Sequence, residues 1–224
     1  MKYVWWAIGL LAAGVLAREG YLALVVRRRR QAELFQMAKA RAAETGKPLV
    51  VIGDPDAGLL VRVLGRTYEC GSTCIDTFGC PACNQQIAGN LEEILPSLVT
   101  NSAVVFVGHG FERVRDPALV AQHLDRISGG DLFIAHLESA SLAAWFTPGH
   151  RQRVFFAPPR APELVYKPLP WSAEPRREGL HVVELPAVRR RLLGDAGAPP
   201  AATNGLVGWD SRFGGFVIDV PPEP

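Results

Sequence analysis

The chain lacks a strong charge of either sign: 24 basic against 22 acidic side chains leave a net charge of +2 over 224 residues. That balance leaves no electrostatic footprint for nucleic acid, and no such partner is expected. No internal repeat is visible, which excludes a solenoid. A complete Gly-x-Gly-x-x-Gly is missing, so the full dinucleotide fingerprint is absent. Cysteine is absent everywhere except one window, where Cys70, Cys74, Cys80 and Cys83 fall within 14 residues.

What is present begins with an apolar N-terminus. Residues 3–26 are apolar apart from Arg18 and Glu19. As a helix this span is about 36 Å long, enough to cross a bilayer. Trp5 and Trp6 suit one interface and the run Arg27, Arg28, Arg29 and Arg30 suits the other. Only Lys2 and the α-amine stand on the N-terminal side. The positive-inside rule therefore predicts a single-pass protein of the inner (cytoplasmic) membrane, with its soluble part in the cytoplasm. Two other readings stay open: a signal peptide ending at Val15-Leu16-Ala17, and an interfacial helix lying on the membrane. Arg18 lies past the midpoint and is placed to snorkel toward the headgroups. Alternatively, Arg18 and Glu19 pair with another membrane subunit.

Residues 31–45 are rich in helix formers with few apolar anchors and read as a polar linker helix ending at Gly46. The run Pro48-Leu49-Val50-Val51-Ile52 is a buried-type strand that breaks into Gly53-Asp54-Pro55-Asp56-Ala57-Gly58. A crossover helix is expected over 59–65, and a second strand ending at Cys74-Ile75-Asp76. Residues 85–98 read as another helix, and 103–107 as a central strand. Asp116 and Pro117 open a helix that Gly129-Gly130 closes, and a strand follows over 132–137. Beyond Ser139 the pattern weakens. A short helix is expected over 142–146, a strand over 153–157, a proline-rich extended stretch, a helix over 182–193 broken near Pro186, a linker-like loop over 194–205 and a last strand over 216–220. Strands alternating with helices imply a parallel sheet covered on both faces. The expected organisation is an anchor over 1–30, a linker helix over 31–46, an α/β domain over 47–165 and a Pro-rich extension over 166–224.

Four features bear on chemistry. Gly53 and Gly58 allow a tight reversal between strand and helix, where backbone amides can hold a polar ligand. Asp54, in the same turn, would repel a phosphate but can accept hydrogen bonds from an ammonium or a ribose. Asp76 stands 23 positions after Gly53, at the end of the second strand, where an acid commonly holds a ribose hydroxyl pair. His109, between Gly108 and Gly110 just past the central strand, stands where an open α/β sheet presents side chains to a ligand, and can act as a base. Glu112, Asp131, His136 and Glu138 are lesser candidates. Each feature has an ordinary structural alternative: a plain connection, a helix cap or a solvated loop residue. The four cysteines suit a tetrahedral zinc or an iron–sulfur cluster, or are simply small buried thiols. Cys80-Pro81-Ala82-Cys83 also admits a thioredoxin-like redox reading, with a helix starting at Asn84.

With these residues laid out, the stretch 48–138 resembles class I S-adenosylmethionine-dependent methyltransferases. LVVIGDPDAG (49–58) looks like their cofactor-binding motif, and CID (74–76) like the acidic end of their second strand. Residues 88–139 are similar to the later half of that domain. The resemblance implies a Rossmann-like sheet with helices on both faces, preceded here by the transmembrane helix. It also implies S-adenosylmethionine as cofactor, held by Gly53, Asp54, Gly58 and Asp76, with His109 near a methyl acceptor. This sequence departs from the family's pattern at three places. No acid lies within Val50-Val51-Ile52, Asp54-Pro55-Asp56 replaces alternating glycines, and Ser102-Ala103 stands where the family often has an aspartate. The expected function is accordingly a membrane-anchored methyltransferase or, alternatively, a non-catalytic scaffold or accessory subunit of a membrane complex.

Overall fold

The computed structural model describes residues 2–53, 71–76, 83, 85–108, 110–135, 141–156, 163–171, 181–193, 207–210 and 215–218. The chain starts with one unbroken helical rod. Helix α1 (Lys2–Tyr21) passes through a π-helical segment (Leu22–Val26) into α2 (Arg27–Thr45), which stops at Gly46 in the left-handed conformation. The apolar part of this rod is long and hydrophobic enough to cross a membrane, and its 18-residue apolar window buries nothing against the rest of the chain.

Five short strands follow the rod: β1 (Leu49–Ile52), β2 (Thr73–Asp76), β3 (Gln86–Ala88), β4 (Val104–Val107) and β5 (Leu132–Ile134). They form one sheet in the order β3-β2-β1-β4-β5, and every neighbouring pair is parallel. The α/β expectation, with a parallel central sheet, holds. Apolar side chains alternate between the two faces, as the period of two requires. Leu49, Val51, Cys74, Val104, Phe106 and Phe133 point to one face, where they meet Leu34, Phe35 and Ala38 of α2. Phe35 packs edge-on against Phe106 with ring centroids 5.4 Å apart. Burying each ring contributes about 1.5–3 kcal/mol. Val50, Ile52, Ile75, Val105, Val107, Leu132 and Ile134 point to the other face.

That second face is covered by α4 (Pro117–Ser128) and an antiparallel meander, β6 (Gln152–Phe156), β7 (Glu163–Pro168) and β8 (His181–Glu184), with α6 (Pro186–Leu193) behind. Between β3 and β4 lie a single turn, α3 (Leu91–Ile94), and a 3-10 turn (Leu95–Ser97). A short helix α5 (Leu142–Phe146) precedes the meander, and a hairpin of β9 (Val207–Asp210) and β10 (Gly215–Ile218) ends the described chain. The helix α4 is built as its sequence indicates. Asp116 accepts from the Leu119 amide at 3.1 Å, Pro117 occupies its first turn and Gly129 ends it with φ of 59°.

Several expectations need correcting. Residues 31–45 are not a free linker, because Leu34, Phe35 and Ala38 are core residues. Residues 86–88 form the edge strand β3 rather than part of a helix, their amide and carbonyl groups pairing with β2. Residues 181–184 are a strand, and Pro186 starts α6 instead of breaking it, as its fixed φ suits a first turn. A boundary at 165/166 would cut through β7. Val183, Leu185 and Val188 beyond it belong to the same core as β1 and β4. The expected helix over 59–65 and the loop over 194–205 lie outside the described residues.

The N-terminal edge of the sheet is fastened by charge. Asp131, just before β5, is buried and accepts from Arg41 Nε of α2 at 2.8 Å and from Lys47 Nζ at 3.2 Å, and it also pairs with Arg191 of α6. Burial, then the neighbouring Arg41 and Arg191 charges, lowers the Lys47 ammonium below its ordinary value. Burial, followed by the Arg41 charge, pushes Arg191 down to about 10. Nearby, the buried Asp125 carboxylate of α4 accepts from the Ala187 and Val188 amides at 2.8 and 2.9 Å. It thereby caps α6 from another element.

Candidate functional site

The strand order reverses direction between β1 and β4. The chain moves outward from β1 through β2 to β3, then returns to place β4 and β5 on the other flank. Open parallel sheets bind ligands beyond the carboxyl ends of the strands at this point. The residues there are Gly53 after β1, Asp76 at the end of β2, and Gly108 to Gly110 after β4.

Gly53 has φ of 74°, a conformation that side-chain-bearing residues rarely adopt. Its amide donates to the Ile75 carbonyl at 2.9 Å, and the Gly108 amide donates to the Ile52 carbonyl at 3.0 Å. A Cβ added at Gly53 would lie 3.0 Å from the Gly108 carbonyl oxygen and 3.5 Å from the Gly110 Cα. The two strand-end loops therefore touch through bare backbone. Asp76 sits one strand over, its carbonyl accepting from the Gly89 amide at 3.1 Å. The loop after β4 is pinned by Gln152, whose buried side-chain amide donates to the Phe111 and Val114 carbonyls at 2.8 and 3.1 Å. Glu112 is buried in the 3-10 turn Phe111–Arg113 at the same edge.

The structure thus brings Gly53 and Asp76 together on neighbouring strands and sets the residues flanking His109 against Gly53. Asp54, Gly58 and His109 themselves lie outside the described residues, as do His136 and Glu138. Asp131 belongs to the opposite edge, in the ion cluster. Sequence reasoning missed Gln152 and the Gly53–Gly110 approach. A polar residue at an inward strand position was the available signal for Gln152. No local signal reveals a contact between glycines 57 positions apart.

The cysteines take a different form from the one expected. Cys74 and Cys83 are both disulfide-bonded, and no described cysteine is free. Disulfide sulfurs are not the thiolates that zinc or an iron–sulfur cluster needs. Among the described residues no group of three or more His, Cys, Asp or Glu side chains is placed to hold a metal ion. Cys70 and Cys80 lie outside the described residues. The thioredoxin-like reading also lacks the long helix it requires from Asn84, because β3 follows Cys83 almost at once.

The charged pair in the apolar rod is satisfied inside the chain. Arg18 donates to Glu19 Oε1 at 2.7 Å, and Glu19 Oε2 accepts from the Leu142 amide at 3.0 Å with Arg27 at 3.9 Å.

A glycine strand end, an acid on the adjacent strand and the loop after β4 thus meet at the reversal point. The Gly53 and Gly108 amides are taken up by strand carbonyls, and a carboxylate at the position of Asp76 can accept from vicinal hydroxyls. No family model matches the chain, and no curated protein or solved structure matches it.

Proposed function

We propose that the chain is a membrane-anchored protein whose α/β domain binds S-adenosylmethionine and transfers a methyl group to an acceptor. The observation that carries this reading is the juxtaposition of Gly53 and Asp76 beside the reversal between β1 and β4. In this reading the Gly53 turn, packed on the loop after β4, lies beside the cofactor, and Asp76 accepts from the ribose. The loop over 108–110 bounds the acceptor side, where His109 takes a proton from the acceptor. S-adenosylmethionine supplies an electrophilic methyl on a sulfonium. Alignment of that methyl with a nucleophile is most of what such chemistry requires, so the chain needs to position more than to activate. The departures at Asp54-Pro55-Asp56 are compatible with this cofactor, because its sulfonium and amino groups are cationic and no phosphate has to be cradled.

The test is transfer of tritiated methyl from S-adenosylmethionine to membrane extract, with the full chain in vesicles. Labelled acceptor should appear with the native chain and fall at least tenfold with Asp76→Ala. Equal labelling by both chains would remove Asp76 from the reaction. No labelling, with the cofactor still bound, would favour the accessory-subunit reading.

The domain is assigned to the cytoplasm on the run Arg27 to Arg30, which follows the apolar stretch. A reducing cytoplasm keeps cysteines as thiols, so the disulfides at Cys74 and Cys83 then belong to the oxidised protein and not to the cell. Alkylation of intact cells decides the point. A membrane-permeant maleimide should label the chain and an impermeant one should not. Persistent disulfides in freshly quenched cells would put the domain on the opposite side.

A further inference from the structure

The rod leaves the domain alongside a group of exposed aromatic side chains. Phe146 of α5 is 68% exposed and stacks on Trp171, itself 52% exposed, with ring centroids 5.8 Å apart. Trp145 lies 6.4 Å from Trp171, and the Arg153 guanidinium sits 3.8 Å over the Trp145 ring. Leu142, 42% exposed, heads the same helix, and its amide is the one bound to Glu19. Exposed apolar side chains gathered in this way mark an interaction surface.

Its depth follows from helix arithmetic. Residues 2–18, the part of the rod ahead of Glu19, measure about 26 Å along the axis, whereas a hydrocarbon core is about 30 Å thick. About twenty residues at 1.5 Å each span the core, from Lys2 to Tyr21 or from Trp5 to Leu24, so α5, bonded to the rod at Glu19, lies within about 8 Å of the boundary. The patch therefore reaches the plane where acyl chains give way to headgroups. Tryptophan, with an apolar ring body and a polar N–H, is enriched in that layer, and an arginine stacked on it suits lipid phosphate. We propose that Leu142, Trp145, Phe146 and Trp171 form a second membrane contact, an interfacial foot that holds the domain against the bilayer surface beside its anchor. Resting on the rod as a membrane span, this proposal does not depend on the methyltransferase reading.

Val99 provides the control. It is an apolar side chain as exposed as Phe146, at 71%, but it precedes β4 at the opposite, N-terminal edge of the sheet. The full chain is reconstituted in phosphatidylcholine vesicles carrying a phospholipid with a diazirine near its headgroup. After photolysis, crosslinks are mapped by mass spectrometry. Peptides containing 142–146 and Trp171 should be labelled several-fold above the peptide containing Val99. Equal labelling of both, or labelling confined to the rod, overturns the foot. Absence of label on the rod peptides as well overturns the membrane span on which it stands. As a second readout, a Trp5→Phe, Trp6→Phe, Trp209→Phe chain leaves only Trp145 and Trp171 emitting. Lipids brominated high on the acyl chains should quench this emission and aqueous iodide should not. Quenching by iodide, by deeply brominated lipids alone, or by neither agent contradicts an interfacial position.

Discussion

The two edges of the central sheet are built by opposite means. At the N-terminal edge, a buried carboxylate gathers three cations from α2, the turn after it and α6. At the C-terminal edge, Gly53 meets Gly108 and Gly110 through backbone. The first arrangement fixes where α2 and α6 dock. The second brings backbone against backbone and places a left-handed conformation, at Gly53, where the strand order reverses. Charge satisfaction at one edge thus supplies the rigidity against which the other can present bare backbone.

The comparison can be broken most severely at Asp131. Asp131→Ala would leave Arg41, Lys47 and Arg191 facing one another with Glu44, bound to Arg41 at 2.7 Å, as the neighbouring anion. Removing one partner of a buried ion cluster costs about 3–5 kcal/mol, so the denaturant midpoint should fall sharply. Asp131→Asn should cost less, since one acceptor oxygen remains. A midpoint shift near zero for Asp131→Ala would mean the cluster fastens nothing. At the other edge, Gly53→Ala forces an L-residue to φ of 74° and sets its Cβ against the Gly108 carbonyl oxygen. The expected cost is about 1–3 kcal/mol, accompanied by loss of cofactor binding. Asp76→Asn sharpens the contrast, because it should weaken the ligand and leave the melting curve in place.

Asp125→Ala removes the acceptor for two amides at the start of α6 and should cost about 1–2 kcal/mol. Hydrogen exchange at amides 187–189 would rise before that of β4 amides if the cap acts locally. The smallest effect concerns His123 on α4. Burial, helped by the Arg126 charge, lowers its folded-state value below the ordinary 6.5. The unfolded chain then binds the proton more readily, so this group's contribution is full above pH 6.5 and declines as pH falls through the interval below it. His123→Gln should flatten that decline slightly in thermal melts, and an unchanged pH profile would refute the assignment.

Legibility in the sequence followed the same division. β1, β4 and α4 could be read because each is announced locally, by an unbroken apolar run or by a cap and a closing glycine pair. β3 could not, since Gln86-Ile87-Ala88 carries one strong apolar residue and gains its strand conformation only by pairing with β2 at an edge. The sheet-facing side of α2 was hidden among charges: Leu34, Phe35 and Ala38 are three residues in a helix otherwise rich in Arg, Lys and Glu. The site's glycine turn and its acid were visible from spacing. The contact of Gly53 with Gly110, the pinning by Gln152 and the ion cluster around Asp131 join residues far apart in the chain, where no local pattern records them.

The central claim is that the glycine edge receives a nucleoside cofactor. Titration calorimetry of S-adenosylmethionine into the full chain in lipid nanodiscs tests it most directly. Saturable heat at one site per chain, with affinity lowered at least tenfold by Asp76→Ala, is the predicted result. A folded chain that gives no heat up to millimolar ligand would contradict it.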